Sequence, residues 1–359
     1  MKLNVALYPW GAKEYMEKHR RVIEHYWYHL LGNYHIYLNW IDEKQWDGGY
    51  RQIPHDYFDV FIYDAMYMEY YKSQGWLLAL TRTDLTYAHE INSKLLSLIE
   101  CEDGKYYGIP IYGCIYILFY RSNDRELAQI RTFDDLVQIA AKRNFVMRKP
   151  SDTAKKTNYF SLHNSNSTHQ FDVNLIKRLS HFYQLSTLLL TKTDSFPFKH
   201  SSFYIGYTED INTMLLLDEN DFSQIDCMFV PIHQRDQPQC WLDCIGLHSS
   251  TKQRATYEKS LQLANLMTSS SVMNECLNGE FYLLPTNQIT LASLASNNFI
   301  YSKLQLLIES DLFRPFLSTP TLVNSSLSLR EQYSETIALL IAQHEKDMQS
   351  NAKTNTASS

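Results

Sequence analysis

Cys114 stands in the run Gly108-Ile109-Pro110-Ile111-Tyr112-Gly113-Cys114, where a proline and two glycines interrupt an apolar stretch. A thiol attacks carbon as its thiolate, and an unperturbed thiol, with a pKa of about 8.5, is mostly protonated near neutrality. A nucleophilic Cys114 therefore needs a base. Glu209 is the candidate, because it follows Tyr204-Ile205-Gly206-Tyr207 at the start of a helical pattern, where backbone N–H groups favour a charged carboxylate. Asp64 ends Val60-Phe61-Ile62-Tyr63-Asp64, and Asp243 interrupts Trp241-Leu242-Asp243-Cys244. Carboxylates in such apolar surroundings must find donors, either a ligand's amino groups or backbone amides. By residue type alone a small buried hydrophobe is the commoner role for a lone Cys such as Cys114, and an ordinary first-turn acid the commoner role for Glu209.

Other chemistries lack their residues. The six cysteines, at 101, 114, 227, 240, 244 and 276, show no metal spacing, so reduced thiols and no metal are expected. His35, His181, His233 and His248 are scattered, which suits surface or satisfied core positions. No glycine-rich phosphate loop occurs, and no cofactor is called for. With 33 Lys and Arg against 39 Asp and Glu, and no basic stripe, nucleic acid is not an expected partner. No run of 18 apolar residues suggests a membrane span. Leu3 to Pro9 enters a strand pattern directly, so no ordinary secretion signal is expected, and the compartment is left open. The 26 Tyr, 17 Phe and 6 Trp exceed ordinary usage; most such rings fill cores, and some can wall a site for a flat organic ligand.

The elements that must position these residues alternate. Leu3 to Pro9 reads as a buried strand, Glu14 to Leu31 as a helix and His35 to Ile41 as a strand, a β-α-β opening. Asp59 to Tyr63 is a compact strand, and Tyr67 to Gln74 and Thr86 to Ile99 read as helices. Lys105 to Ile109 and Ile115 to Arg121 are strand-like, with Cys114 in a loop between them. Thr132 caps a helix to Ala141, with Asp135 three residues on. Val173 to Thr191 is helical, Ser202 to Tyr207, Cys227 to Pro231 and Cys240 to Leu247 are strands, and a helix should start at Glu209. Thr256 to Thr268, Ser270 to Leu277, Ala292 to Ala295, Leu304 to Ile308 and Leu329 to Glu345 supply further helices. Residues 149–170 and the tail 346–359 are polar. This alternation predicts an α/β protein with parallel sheets and ligand groups at the strand ends, and a chain of 359 residues predicts two domains.

Together the segments resemble bacterial thiaminase I (thiamine pyridinylase). The likeness rests on Val5-Ala6-Leu7-Tyr8-Pro9-Trp10, Asp59-Val60-Phe61-Ile62-Tyr63-Asp64-Ala65, Tyr107-Gly108-Ile109-Pro110 leading to Cys114, Tyr204-Ile205-Gly206-Tyr207-Thr208-Glu209, Trp241-Leu242-Asp243 and Tyr282-Leu283-Leu284-Pro285-Thr286-Asn287. It implies a two-lobed periplasmic-binding-protein-like (type II) fold with a ligand cleft between the lobes. Residues 1–120 with 245–300 would form one lobe, and 121–244 with 301–345 the other.

The resemblance also implies a reaction. A Cys attacks the pyrimidine ring of thiamine, a Glu takes the thiol proton, the thiazole leaves, and an external amine or thiol replaces it. Cys114 and Glu209 match those two positions. Asp64 and Asp243 match the acidic residues that hold the aminopyrimidine. Tyr8, Tyr50 and Tyr207 match the aromatic cleft, and Trp10 and Trp241 stand where the family has Tyr, keeping a stacking face but losing a hydroxyl. The expected partners are thiamine or an analogue and a small nucleophilic co-substrate, with no cofactor, and the protein is expected to be a monomer. The rival readings are a thiamine or pyrimidine binder without turnover, and an effector that uses the scaffold for protein contacts.

Overall fold

The structure is a computed structural model that describes residues 1–10, 13–49, 52–148, 173–189, 201–208, 224–230, 240–278 and 283–310, with single positions at 339, 342, 343 and 346. Its elements begin with β1 (Lys2–Ala6), α1 (Lys13–His25) closed by a π turn, β2 (Tyr37–Trp40), β3 (Val60–Asp64), α2 (Met68–Ser73), α3 (Ser93–Leu98) and β4 (Ile109–Arg121). There follow α4 (Arg125–Ala128), α5 (Phe133–Ala140), β5 (Phe145–Arg148), α6 (Val173–Leu185), β6 (Thr187–Leu189), β7 (Phe203–Tyr207) and β8 (Ile225–Phe229). Last come β9 (Cys240–Leu247), α7 (Tyr257–Thr268), α8 (Ser270–Leu277), β10 (Leu284–Pro285), α9 (Gln288–Asn297) and α10 (Phe299–Glu309).

The chain divides into two compact units, one comprising Met1–Ile115 and Cys240–Asp311, the other mainly Tyr116–Gln239. In the first, β1 lies between parallel neighbours β2 and β3, the predicted β-α-β opening. α1 covers this sheet because Met16, His19, Val22 and Ile23 recur at helical spacing on one buried face. All five residues of β3 are buried, and each large side chain taken fully out of water there contributes about 1.5–3 kcal/mol. β3 pairs antiparallel with β9, β9 antiparallel with the first half of β4, and β10 lies on that half's other side.

In the second unit, the latter half of β4 lies between antiparallel β7 and β8, and β5 runs parallel to β7 and β6. Its core includes Phe145 stacked on Phe203 at 4.7 Å between ring centres, with Phe182 alongside. α5 opens on the predicted cap: Thr132 accepts from the Asp135 amide, and the Asp135 carboxylate accepts from that of Thr132.

Four expectations fail. The helix expected over 173–191 ends at Leu185 and gives way to the strand Thr187–Leu189. The sheets are mixed, because β9 and β4 run antiparallel to their neighbours. The segment 109–121 is one strand rather than two strands and a loop, so Cys114 lies within β4. Pro110, which has no N–H, is tolerated there because the β4–β9 register shifts between Pro110 and Tyr112. Finally, only Ser93–Leu98 of the helix expected over 86–99 forms, capped by Asn92. Upstream, the buried Glu90 carboxylate accepts from the Asn287 side chain and the Ser270 amide, and Ile91 bridges to Asn287. These tertiary bonds override helix propensity. The expected helix from Glu209, the polar stretch 149–170 and most of 329–359 lie outside the described residues.

Candidate active site

The register of the first unit's sheet assembles the site. Asp64 of β3 stands opposite Asp243 of β9, Asp243 opposite Tyr112 of β4, and Trp241 opposite Cys114. Directly opposed residues share a sheet face, and so do residues two apart on one strand. Asp64, Asp243, Tyr112, Trp241 and Cys114 therefore project from one face, although their segments lie far apart in sequence. Asp64 and Asp243 are buried, at 2% and 8% exposure, and like charges opposed this way repel unless donors or a proton offset them. One donor is Trp10, whose indole Nε1–H donates to Asp243 Oδ2 at 2.6 Å.

Trp10 follows β1 and is enclosed by rings. Tyr112 meets it edge-on with centres 5.0 Å apart, His19 lies 5.1 Å away and Tyr8 5.8 Å away. His19 comes from the buried face of α1. Its Nδ1 is 2.9 Å from the Tyr15 carbonyl, which can only accept, so Nδ1 carries the proton. Nε2 then accepts from the Tyr112 hydroxyl at 3.0 Å. Burial pushes the imidazole down to about 4 and the Tyr112 phenol well above its usual range, so both are neutral near pH 7.

A glycine shelf supports the aromatic side. Gly48 has φ +83°, and a Cβ on it would run into the Tyr8 ring. Its carbonyl accepts from the Asp64 amide at 3.2 Å. One residue thus carries the Tyr8 ring and one end of β3, a close approach that only glycine permits.

The cysteines differ in access. Of the five described, Cys101, Cys227, Cys244 and Cys276 are buried, and Cys114 is half-exposed. Burial pushes the Cys276 thiol up to about 12 and the Cys244 thiol well above its ordinary value, with the Asp243 and Asp64 carboxylates adding to the latter. Such thiols are inert. Cys114 thus combines access with a place on the carboxylate-bearing face.

The structure brings together Tyr8, Trp10, Asp64, Cys114, Trp241 and Asp243 in the first unit. Tyr207 belongs to the second unit, at the end of β7 opposite Tyr116, with ring centres 5.1 Å apart. Glu209 and Tyr50 lie outside the described residues. Sequence reasoning passed over His19, Tyr112 and Gly48. A polar His on the apolar stripe of α1 was the signal for His19; nothing local distinguished the other two. Among the described residues, no group of three or more His, Cys, Asp or Glu side chains could hold a metal ion, and no helix is long and apolar enough to cross a membrane.

No family model matches the chain. Over 322 residues it is 23% identical to thiaminase-1 of Paenibacillus thiaminolyticus, spanning 78% of this chain and 76% of that protein. Clostridium botulinum thiaminase I in complex with thiamin matches with a TM-score of 0.79 at 20% identity, covering 96% of this chain and 100% of that one. The maltose-bound T. maritima MalE3 matches with a TM-score of 0.63 at 15% identity, over 97% of this chain and 99% of that one. The chain is a thiaminase I-like protein with the periplasmic solute-binding protein fold.

Proposed function

We propose that the protein is a thiamine pyridinylase, a transferase that displaces the thiazole of thiamine, or of a close analogue, through a covalent Cys114–pyrimidine intermediate. The observation that carries this reading is the accessible Cys114 on the same sheet face as the buried Asp64–Asp243 pair. The thiamin complex of the C. botulinum relative supports the choice of substrate.

Each role follows from charge. Glu209 takes the thiol proton, and Cys114 Sγ bonds to the electron-poor pyrimidine, whose ring nitrogens gain negative charge. Asp64 and Asp243 meet the ring nitrogen and the exocyclic amino group, and a carboxyl that donates to the charged nitrogen stabilises the adduct. The bond from the ring methylene to the thiazolium nitrogen then breaks, and its electron pair leaves with the neutral thiazole. An amine or thiol adds at the methylene, and the Cys114 thiolate departs as the ring is restored. The aromatic side chains Tyr8, Trp10, Tyr50, Tyr207 and Trp241 suit a flat, cationic substrate.

Intact-protein mass after mixing with thiamin and no acceptor tests the mechanism, with released thiazole measured in parallel. A pyrimidine-sized adduct matched by thiazole is expected on the wild type and absent from Cys114→Ala. Saturable binding with neither product overturns the transferase reading and leaves a binding protein.

A further inference from the structure

A buried chain of contacts leads away from the carboxylate pair and ends at a histidine on the far element. Tyr15 C=O accepts from His19 Nδ1–H, His19 Nε2 accepts from Tyr112 O–H, and the His19 and Tyr112 rings wall the Trp10 indole that donates to Asp243. Tyr112 is also the direct cross-strand neighbour of Asp243. We propose that His19 is a positioning residue for Asp243, acting through Tyr112 and Trp10: it holds the indole whose N–H orients the carboxylate.

Packing alone does not account for a histidine here. An apolar side chain of similar volume would fill the space without the cost of a buried imidazole, whose protonation is pushed down to about 4. What the imidazole adds is an acceptor at Nε2 that fixes the Tyr112 hydroxyl, and with it the ring that packs against the indole. The Asp243 end depends on this, because an indole has a single donor and a small rotation of the ring removes it from a carboxylate. The functional meaning of the proposal rests on Asp243 binding the aminopyrimidine; the positioning itself does not.

The test uses the full chain and two readouts. The Trp10 indole N–H is followed by nitrogen-15 NMR, its signal assigned by its loss in Trp10→Phe, and thiamin kinetics are measured on the same variants. His19→Leu keeps volume and removes the acceptor; His19→Gln keeps an acceptor in reach of Tyr112. In His19→Leu the indole signal should move upfield and exchange faster, and KM for thiamin should rise about tenfold with kcat within about twofold of the wild type. His19→Gln should restore most of both. Should His19→Leu fail to fold, Tyr112→Phe, which deletes only the hydroxyl, carries the same expectation. An unmoved indole signal, or an unchanged KM in an active His19→Leu enzyme, overturns the proposal. A moved signal in a protein whose wild type leaves thiamin intact upholds the positioning and overturns the assigned function instead.

Discussion

At the scale of single residues, the candidate site sets the half-buried Cys114 on the sheet face that carries the buried Asp64 and Asp243. His19 contributes a separate, measurable property. Its proton affinity is held down by burial, to about 4 from an ordinary 6.5. The unfolded chain therefore binds a proton across this window that the folded chain refuses, and stability falls as pH falls. His19 costs almost nothing above pH 6.5, and its full cost, roughly 3 kcal/mol for a shift of this size, is reached near pH 4. Urea titrations at pH 7 and 4.5 should show the wild type losing about 2 kcal/mol more than His19→Gln. Equal losses would place the acid sensitivity in other groups.

At the scale of elements, strand register does what no local motif can. β3, β9 and β4 come from three distant segments, and their antiparallel pairing alone opposes Asp64 to Asp243 and Trp241 to Cys114. A slip of one residue would turn Cys114 to the other face. The turn at Gly48, whose carbonyl accepts from the Asp64 amide at the end of β3, is equally constrained. Gly48→Ala should destabilise by about 1–3 kcal/mol, from left-handed backbone strain and displacement of the Tyr8 ring. Gly32 shares the left-handed backbone, at φ +66°, but faces open space. Gly32→Ala should therefore cost only the backbone strain, about 1–2 kcal/mol. Denaturation midpoints that fall equally in both variants would remove Tyr8 from the account.

At the scale of the whole molecule, the fold is shared by a thiaminase I in complex with thiamin and by a maltose-bound protein, so architecture alone does not select chemistry. What a ligand does to global stability is informative. Thiamin at about one hundred times its dissociation constant should stabilise Cys114→Ser by about 2.7 kcal/mol, a rise of roughly 3 °C in Tm for a chain this long. Maltose should give no shift. A shift with maltose and none with thiamin would transfer the protein to the solute binders.

Much of this was written in the sequence. Period-two and period-3.6 patterns marked β9 and α8 at their observed bounds and β3, α2, α5, β7, β8 and α7 to within one or two residues, because burial of one face is encoded locally. The short elements α4, β5, β6 and β10 went unmarked. The candidate residues, too, were legible as residue types: a thiol beside glycines, carboxylates in apolar runs, aromatic clusters. Tertiary structure decided how they meet. Pro110 and Gly113 read as a loop, and only pairing with β9 and β10 makes them strand. The sequence read as parallel sheets, and the direction of β9 depends on partners more than a hundred residues away. His19 and Tyr112 gain their roles only because α1 folds back over β4's neighbourhood and brings Nε2 to the hydroxyl. Periodicity records which face of an element is buried; it carries no information about which residues across that interface share a hydrogen bond, and the site is made of those bonds.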